Sequence, residues 1–187
     1  MSGKGYDPSN PVRLYADGVF DLFHFGHARL FEQCKKKFPY VYLIVGVASD
    51  VEVIELKGKP LMNEQERAES VRQCKWVDEV ICPCPWVCTL EFMDSHSIDY
   101  ICHDDIPYVM GADVTGDVYY PSKQAGRFLA TQRTDGVSTS DLIIRMLVNS
   151  NEFVRESQDR SGCSNSRYLK SLRKGFIAIK AYTLKHN

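Results

Sequence analysis

The chain has 187 residues, with 23 lysines and arginines against 24 acidic residues, a net charge of −1 and an isoelectric point near 6.5. This balance argues against a polycationic nucleic-acid binder, and no contact with nucleic acid is expected. With 44% hydrophobic and 25% charged residues, the composition is that of a globular protein. No apolar run approaches the roughly 20 residues of a membrane span, and residues 1–10 are too polar for a signal peptide.

The seven cysteines are odd in number and too sparse for a disulfide scaffold. They indicate reduced thiols and a cytoplasmic protein, with membrane association only through segments that this chain does not show. Three of them lie in Cys82–Cys88, which lacks the CxxC spacing and the second ligand pair of a zinc site. We expect these thiols to be structural.

Strand-like and helix-like patterns alternate along the chain, as a parallel sheet with crossover helices requires. The first strand is expected over Val12–Asp17 and the first helix over Ala28–Phe38. The segment Tyr40–Val47 is apolar on both faces, which predicts a central, buried strand. The segment Asn63–Cys74 opens with a capping-box pattern, which predicts a helix.

The second half of the chain continues the alternation with shorter elements. In chain order we predict a strand, a helix, two strands and a helix at Val80–Cys82, Thr89–His96, Tyr100–His103, Phe128–Thr131 and Leu142–Val148. Together the elements predict an α/β domain over 12–150, a doubly wound, Rossmann-like sheet of five parallel strands with helices on both faces. Residues 1–11 are interpreted as an N-terminal extension and 151–187 as a basic, helical tail.

Two long connections, Ala48–Met62 and Asp104–Pro121, are predicted to be loops. Loops longer than about 12–15 residues are uncommon and often functional. In a doubly wound sheet, ligands bind at the carboxyl ends of the strands, near the point where the strand order reverses. We therefore expect the functional residues at this edge.

The junction between the first strand and the first helix combines glycines with two histidines. Gly18 and Gly26 allow the backbone to approach a ligand, and a helix start presents free N–H groups. His24 and His27 are three residues apart, so both rings can donate hydrogen bonds to one phosphate without a permanent charge. Metal ligation would need a third ligand that is not obvious nearby, and two surface histidines without function are the simpler alternative.

A second anion-binding pattern precedes the last helix. Arg133 is followed by three hydroxyl residues over Ser138–Ser140, which combines a guanidinium group with the N–H donors of a helix start. Taken alone, the hydroxyl run could be only an N-cap. Paired with the two histidines on another loop of the same fold, it indicates a site for a nucleotide polyphosphate.

Both segments resemble the signatures of a known family. GVFDLFHFGH is similar to the HxGH signature of nucleotidyltransferases, and RTDGVSTS is similar to the RTEGISTS signature of their cytidylyltransferase branch. LIVGVASD, MNEQER, WVDEV and HDDIPY extend the similarity over Val12–Val148. The chain thus resembles the catalytic domain of choline-phosphate cytidylyltransferases.

The resemblance implies transfer of CMP from CTP to phosphocholine, which gives CDP-choline and pyrophosphate, with Mg²⁺ accompanying the CTP. It implies that four residues are catalytic: His24, His27, Lys57 and Arg133. Further residues of the two signatures would bind the nucleotide: Gly18, Val19, Phe20, Asp21, Thr134, Ser138 and Thr139.

The choline group is expected to bind aromatic faces and carboxylates, because a quaternary ammonium has no N–H to donate. By resemblance, the phosphocholine site contains Asp17, Lys57, Trp86, His103, Asp104, Tyr108 and Tyr119. Asp21 is expected to order the HxGH loop through hydrogen bonds, and Arg67 to be a structural ion-pair residue.

A homodimer is also implied, although Lys75 stands where the interface segment of the family usually has arginine. Two alternatives to this function stay open. One is cytidylyl transfer to phosphoethanolamine or glycerol 3-phosphate, and the other is a nucleotide-binding module without catalysis.

Overall fold

The computed structural model describes residues 3–106, 117–150 and 152–153. The predicted site residue Tyr108 and the predicted basic tail 151–187, apart from residues 152–153, lie outside the described residues. The chain divides into two units, residues 1–139 and 140–187, and the first contains the sheet.

Five parallel strands form one sheet in the first unit. The strands are β1 (Val12–Gly18), β2 (Val41–Ala48), β3 (Glu79–Cys84), β4 (Tyr100–Asp104) and β5 (Phe128–Thr131). Their order is β3-β2-β1-β4-β5, so the chain adds strands on one side of β1 and then returns to the other side. The strand order therefore reverses between β1 and β4, and the predicted doubly wound fold is confirmed.

The described helices number six. They are α1 (Phe25–Lys35), α2 (Asp50–Leu56), α3 (Glu64–Arg72), α4 (Leu90–Ser95), α5 (Tyr120–Gln124) and α6 (Thr139–Val148), the last belonging mostly to the second unit. In the described part of the chain, no helix has the length and the apolar character needed to cross a bilayer.

Side chains that alternate along β1 bury both faces of the sheet. Leu14 belongs to a core with Phe31 of α1 and Val71 of α3. Its neighbour Tyr15 points to the opposite core, which it shares with Met93 of α4. Because both faces are covered, the carboxyl ends of the strands are left as the edge at which a ligand can bind.

Two predictions about local structure were wrong. The segment Ala48–Met62 is not a continuous loop, because α2 forms at its start behind the cap Ser49, whose hydroxyl accepts a hydrogen bond from the Glu52 N–H. The segment Asp104–Pro121 likewise ends in the short helix α5.

Candidate active site

The loop after β1 begins α1 with an unusual cap. The Nδ1 atom of His24 accepts a hydrogen bond from the Gly26 N–H at 3.1 Å. The Nδ1 atom of His27 accepts one from the His24 N–H at 3.3 Å, so the two histidines form a reciprocal capping box. Their rings stack with centroids 3.8 Å apart. The helix N-terminus thus fixes both imidazoles side by side.

This arrangement sets the tautomer of both rings. Because each Nδ1 accepts a backbone N–H, each neutral ring carries its proton on Nε2. Burial, together with repulsion from His24, lowers the pKa of His27 from 6.5 to about 3, and burial also lowers the pKa of His24. At neutral pH the pair therefore offers two Nε2–H donors and no fixed charge.

The lowered pKa predicts how His27 titrates. In ¹H–¹⁵N spectra that correlate ring protons and nitrogens, its signals are expected to keep the neutral, Nε2-protonated pattern from pH 8 to pH 5. Because the unfolded chain takes up this proton near pH 6.5 and the folded chain only near pH 3, stability falls as the pH decreases between these values. A titration midpoint of His27 near 6.5 would contradict this.

The second signature packs against the first. A Cβ atom on Gly26 would lie 2.9 Å from both the His24 ring and Val137, so only glycine allows this contact. The Thr139 hydroxyl donates to the backbone carbonyl of Asp21 at 2.9 Å. Thr134 and Ser138, assigned to the nucleotide by resemblance, are half-buried in the same loop. The fold therefore brings the two predicted phosphate-binding segments together.

Asp21 links the HxGH loop to the segment after α2. Its buried carboxylate accepts hydrogen bonds from the backbone N–H groups of Leu22, Leu61 and Met62 at 3.1, 2.8 and 2.9 Å. The ordering role predicted for Asp21 therefore rests on backbone donors, two of them about 40 residues away in sequence.

Three residues that precede Asp21, each predicted to bind the nucleotide, help to position the HxGH loop. Phe20 is buried and its ring meets the His27 ring edge-on, with centroids 5.3 Å apart. The Val19 carbonyl accepts a hydrogen bond from Arg67 at 2.7 Å. A Cβ atom on Gly18 would lie 3.1 Å from the Phe20 ring, and Gly18 also lines the cleft at the carboxyl ends of the strands.

Arg133 and Asp104 form an ion pair, with Nε 2.8 Å from Oδ2. The Arg133 side chain is 71% exposed, so its remaining donors face solvent. Asp104 is absent from the lining of the cleft described next. It pairs with the predicted nucleotide-binding arginine, and its Oδ1 also lies 3.7 Å from Nδ1 of His103, which lines that cleft. Its contact with phosphocholine stays a prediction.

A cleft opens at the carboxyl ends of β1 and β4, where the strand order reverses. Its lining consists of Asp17, Gly18, Ala48, Lys57, Cys84, Pro85, Trp86, His103, Val118 and Tyr119. Five of the seven residues predicted for phosphocholine are among them. Tyr119 presents its ring face to His103, with centroids 4.6 Å apart. The cleft combines aromatic faces, one carboxylate and one ammonium group.

The carboxylate of this cleft, that of Asp17, is buried. Asp17 accepts hydrogen bonds from the Tyr119 hydroxyl, which lies 3.2 Å from both carboxylate oxygens. Burial raises the pKa of Asp17, while His103, Tyr119 and Lys57 partly offset this by stabilising the charged form. Burial and the nearby Asp17 also raise the pKa of Tyr119, so its hydroxyl remains a donor.

Two cysteines of the Cys82–Cys88 segment contribute to this region as thiols. Cys84 lines the cleft and Cys88 is buried behind it. Burial and the nearby Asp17 raise the pKa of each to about 12, so both stay protonated and unreactive at neutral pH. Six cysteines within the described ranges are free thiols.

Mg²⁺ is the metal ion that the resemblance implies. Within the described ranges, no group of three or more histidine, cysteine or acidic side chains is arranged to hold a metal ion. A Mg²⁺ ion that accompanies CTP stays a prediction from the resemblance.

Sequence reasoning missed several residues of the site. Val137 positions the second signature, and Ala48, Pro85 and Val118 complete the cleft wall. Small and apolar side chains carry no chemical signal, so only their positions beside the signatures could have pointed to them.

The fold and both signatures can be compared with known proteins. The sequence model described as cytidylyltransferase-like matches residues 15–145, which include both histidines, the cleft and Arg133. The chain belongs to the cytidylyltransferase-like family. A crystal structure of a lipopolysaccharide core biosynthesis protein from Thermoplasma volcanium shares this fold with a TM-score of 0.51 at 22% identity, over 66% of this chain and 98% of that protein.

Curated relatives of this cytidylyltransferase-like chain are closer in sequence. A probable choline-phosphate cytidylyltransferase of Schizosaccharomyces pombe is 55% identical over 80% of this chain and 41% of the relative. Choline-phosphate cytidylyltransferase 2 of Arabidopsis thaliana is 52% identical over 84% and 52%. An ethanolamine-phosphate cytidylyltransferase of Dictyostelium discoideum is 47% identical over 74% and 37%. The chain spans about half, or less, of the length of these relatives.

Proposed function

We propose that this chain transfers CMP from CTP to phosphocholine, forming CDP-choline and releasing pyrophosphate. One observation carries the proposal: a single cleft joins a buried carboxylate and aromatic faces to a lysine, and its lining residue Gly18 leads into the loop that carries two stacked, neutral histidines. The first group of features suits a quaternary ammonium, and the second suits phosphate. The match to relatives named for this reaction supports the same assignment.

The proposed reaction is an in-line displacement at phosphorus. An ionised oxygen of phosphocholine forms a bond to the α-phosphorus of CTP, and the bond from that phosphorus to the oxygen bridging to the β-phosphate breaks. The nucleophile needs no strong base at neutral pH. Because an anion must approach a polyanion, catalysis depends on positioning and on neutralisation of charge.

The described residues supply that neutralisation from several directions. His24 and His27 would donate their Nε2–H groups to CTP phosphate oxygens. Arg133 would hold the β- and γ-phosphates, because its pair with Asp104 uses only the Nε–H of five guanidinium donors. Lys57 would bridge the reacting phosphates from the end of α2.

At the other end of the substrate, Trp86 and Tyr119 would contact the methyl groups of choline while Asp17 supplies negative charge. A primary ammonium can also lie on these faces, but it binds them more weakly, because N–H donors that face the rings lose their hydrogen bonds to water. This chemistry favours phosphocholine over phosphoethanolamine as the second substrate.

Replacing Trp86 with alanine is expected to raise the KM for phosphocholine roughly tenfold, because one cation–π contact is worth about 1–2 kcal/mol. The KM for CTP and the kcat should change little. Steady-state kinetics with Trp86→Phe serve as the control, since phenylalanine keeps an aromatic face. An unchanged phosphocholine KM in Trp86→Ala would contradict the role of this ring.

The proposed function is tested by pyrophosphate release from CTP with three phosphorylated alcohols. Phosphocholine is expected to give the highest kcat/KM, followed by phosphoethanolamine and glycerol 3-phosphate. A preference for phosphoethanolamine would overturn the choline assignment but keep the cytidylyltransferase. Binding of CTP without pyrophosphate release from any of the three would indicate a nucleotide-binding module.

Two further parts of the proposal concern Mg²⁺ and the dimer. We expect Mg²⁺ to enter as the CTP complex, so that turnover depends on Mg²⁺ while the apo chain needs none to fold. We also expect a homodimer, which sedimentation equilibrium of the chain would detect as a doubled mass.

A further inference from the structure

The end of α2 places the Lys57 ammonium inside the cleft that the substrate cation would use. The Nζ atom lies 5.6 Å from the centroid of the Trp86 ring, within the range of a cation–π contact. Lys57 also lines the cleft together with Asp17, and its charge acts on that carboxylate. The cleft thus contains one cation of the chain itself on its aromatic wall.

The contacts of α2 hold Lys57 there. Near the start of the helix, Asp50 pairs with the buried Arg67 at 2.7 Å. Glu52, two residues further, accepts a hydrogen bond from the Trp86 backbone N–H at 3.4 Å. The helix is therefore attached both to the core and to the segment that carries the indole.

The helix ends at Leu56, with Lys57 as its C-cap, and the chain turns into open space at Gly58. The N–H groups of Lys57 and Gly58 both donate to the Val53 carbonyl, at 2.9 and 3.0 Å. Gly58 has a φ of +100°, a backbone conformation that favours glycine, and a side chain there would meet no atom within 4 Å. Lys57 itself is exposed, so its long side chain can leave the ring without unpacking the core.

We propose that the Lys57 ammonium occupies the choline subsite of the empty enzyme, and that the trimethylammonium group of phosphocholine displaces it toward the reacting phosphates. The inference rests on the proposed function. One cation replaces another beside Asp17, so the buried carboxylate keeps a countercharge throughout. The exchange couples the arrival of phosphocholine to the release of the lysine that its phosphate and CTP require.

If Lys57 competes for the choline subsite, its removal should strengthen choline binding rather than weaken it. Replacing Lys57 with methionine removes the competitor, so choline without its phosphate is expected to bind roughly three- to tenfold more tightly. If Lys57 served only to bind phosphate, the same variant would bind choline as the wild type does. Turnover with CTP and phosphocholine should be lost in this variant, because the bridging charge is gone.

The experiment is a titration of the 187-residue chain with choline chloride, followed through the Trp86 indole N–H signal in ¹H–¹⁵N spectra. Trp86→Phe assigns the signal, and thermal melts establish that each variant is folded. Lys59→Met is the matched control, because Lys59 is an exposed lysine two residues further along. Its choline Kd should stay within about twofold of the wild-type value, since its charge is not in the cleft.

Three results would overturn the inference. Unchanged or weaker choline binding by Lys57→Met means that the lysine does not compete for the subsite. Equal tightening in Lys57→Met and Lys59→Met means that only the overall charge of the segment matters. Absence of choline binding to the wild type and to every variant means that the cleft has no choline subsite. If the wild type still turns over phosphocholine alongside either of the first two results, the inference fails but the proposed function stands.

Discussion

The His27→Ala variant is expected to lose at least about 100-fold in kcat while it keeps its fold, because a preorganised donor to developing charge contributes about 10²–10³ to rate. The Nε2–H group of His27 is fixed by the His24 N–H on the other side of the ring and by the Phe20 ring. Phe20 and the stacked His24 pack against its ring, with centroids 5.3 and 3.8 Å away. Pyrophosphate release measures the kcat, and a thermal melt measures the fold.

Two controls separate the chemistry of His27 from its role as a cap. His27→Asn retains a side-chain acceptor for the His24 N–H but cannot place a donor where Nε2–H lies, so we expect a stable and inactive protein. His96→Ala alters a histidine at the end of α4, outside the cleft lining, and should keep its turnover. Near-normal turnover of a folded His27→Ala would remove the histidines from the account.

The second large effect concerns Arg67, a fully buried arginine of α3. Its guanidinium pairs with Asp50 and donates hydrogen bonds to the carbonyls of Val19, Ala48 and Met62. Val19 lies in the HxGH loop and Ala48 at the end of β2. Asp50 begins α2, and Met62 lies in the segment between α2 and α3. One buried cation therefore joins the HxGH loop to the end of β2 and to both ends of the α2 region.

The Arg67→Met variant is expected to lose about 3–5 kcal/mol of unfolding free energy, because three carbonyls lose a charged donor in a buried position. Arg72→Met on the same helix is the matched control. Arg72 pairs with Glu69 on the surface, so its replacement should lower the unfolding free energy by less than about 1 kcal/mol. Urea unfolding of both variants measures the difference, and an equally small loss in Arg67→Met would contradict this structural role.

The sheet was predictable because its signals are local. The apolar run of β2 was placed within one residue of its observed bounds, and the capping box of Asn63 with Glu66 is present at the start of α3. The prediction for β3 was too short. The strand continues through Pro83 to Cys84, which an edge strand tolerates because it pairs with a neighbour on one side only.

Two helices were misjudged for reasons that the local sequence does not carry. The start of α1 was placed three residues late, because imidazoles are not among the usual N-caps. In α2, Val51, Val53 and Ile54 have modest helix propensity. Contacts with Arg67 and with the Trp86 segment, distant in sequence, stabilise this helix.

In the site, too, local sequence signals could be predicted and long-range contacts could not. The HxGH and RTDGVSTS segments could be recognised from their residue order, and the parallel topology explains why the ends of β1 and β4 meet. The pair of Asp104 with Arg133 and the position of Lys57 over Trp86 are long-range side-chain contacts, which sequence order does not specify.

The central claim is that this chain joins a phosphate oxygen of phosphocholine to the α-phosphorus of CTP. The most direct test supplies phosphocholine with ¹⁸O in its three terminal phosphate oxygens and analyses the products by mass spectrometry. We predict that CDP-choline retains all three labelled oxygens and that pyrophosphate contains none. Loss of label from CDP-choline, label in pyrophosphate, or no CDP-choline at all would contradict the claim.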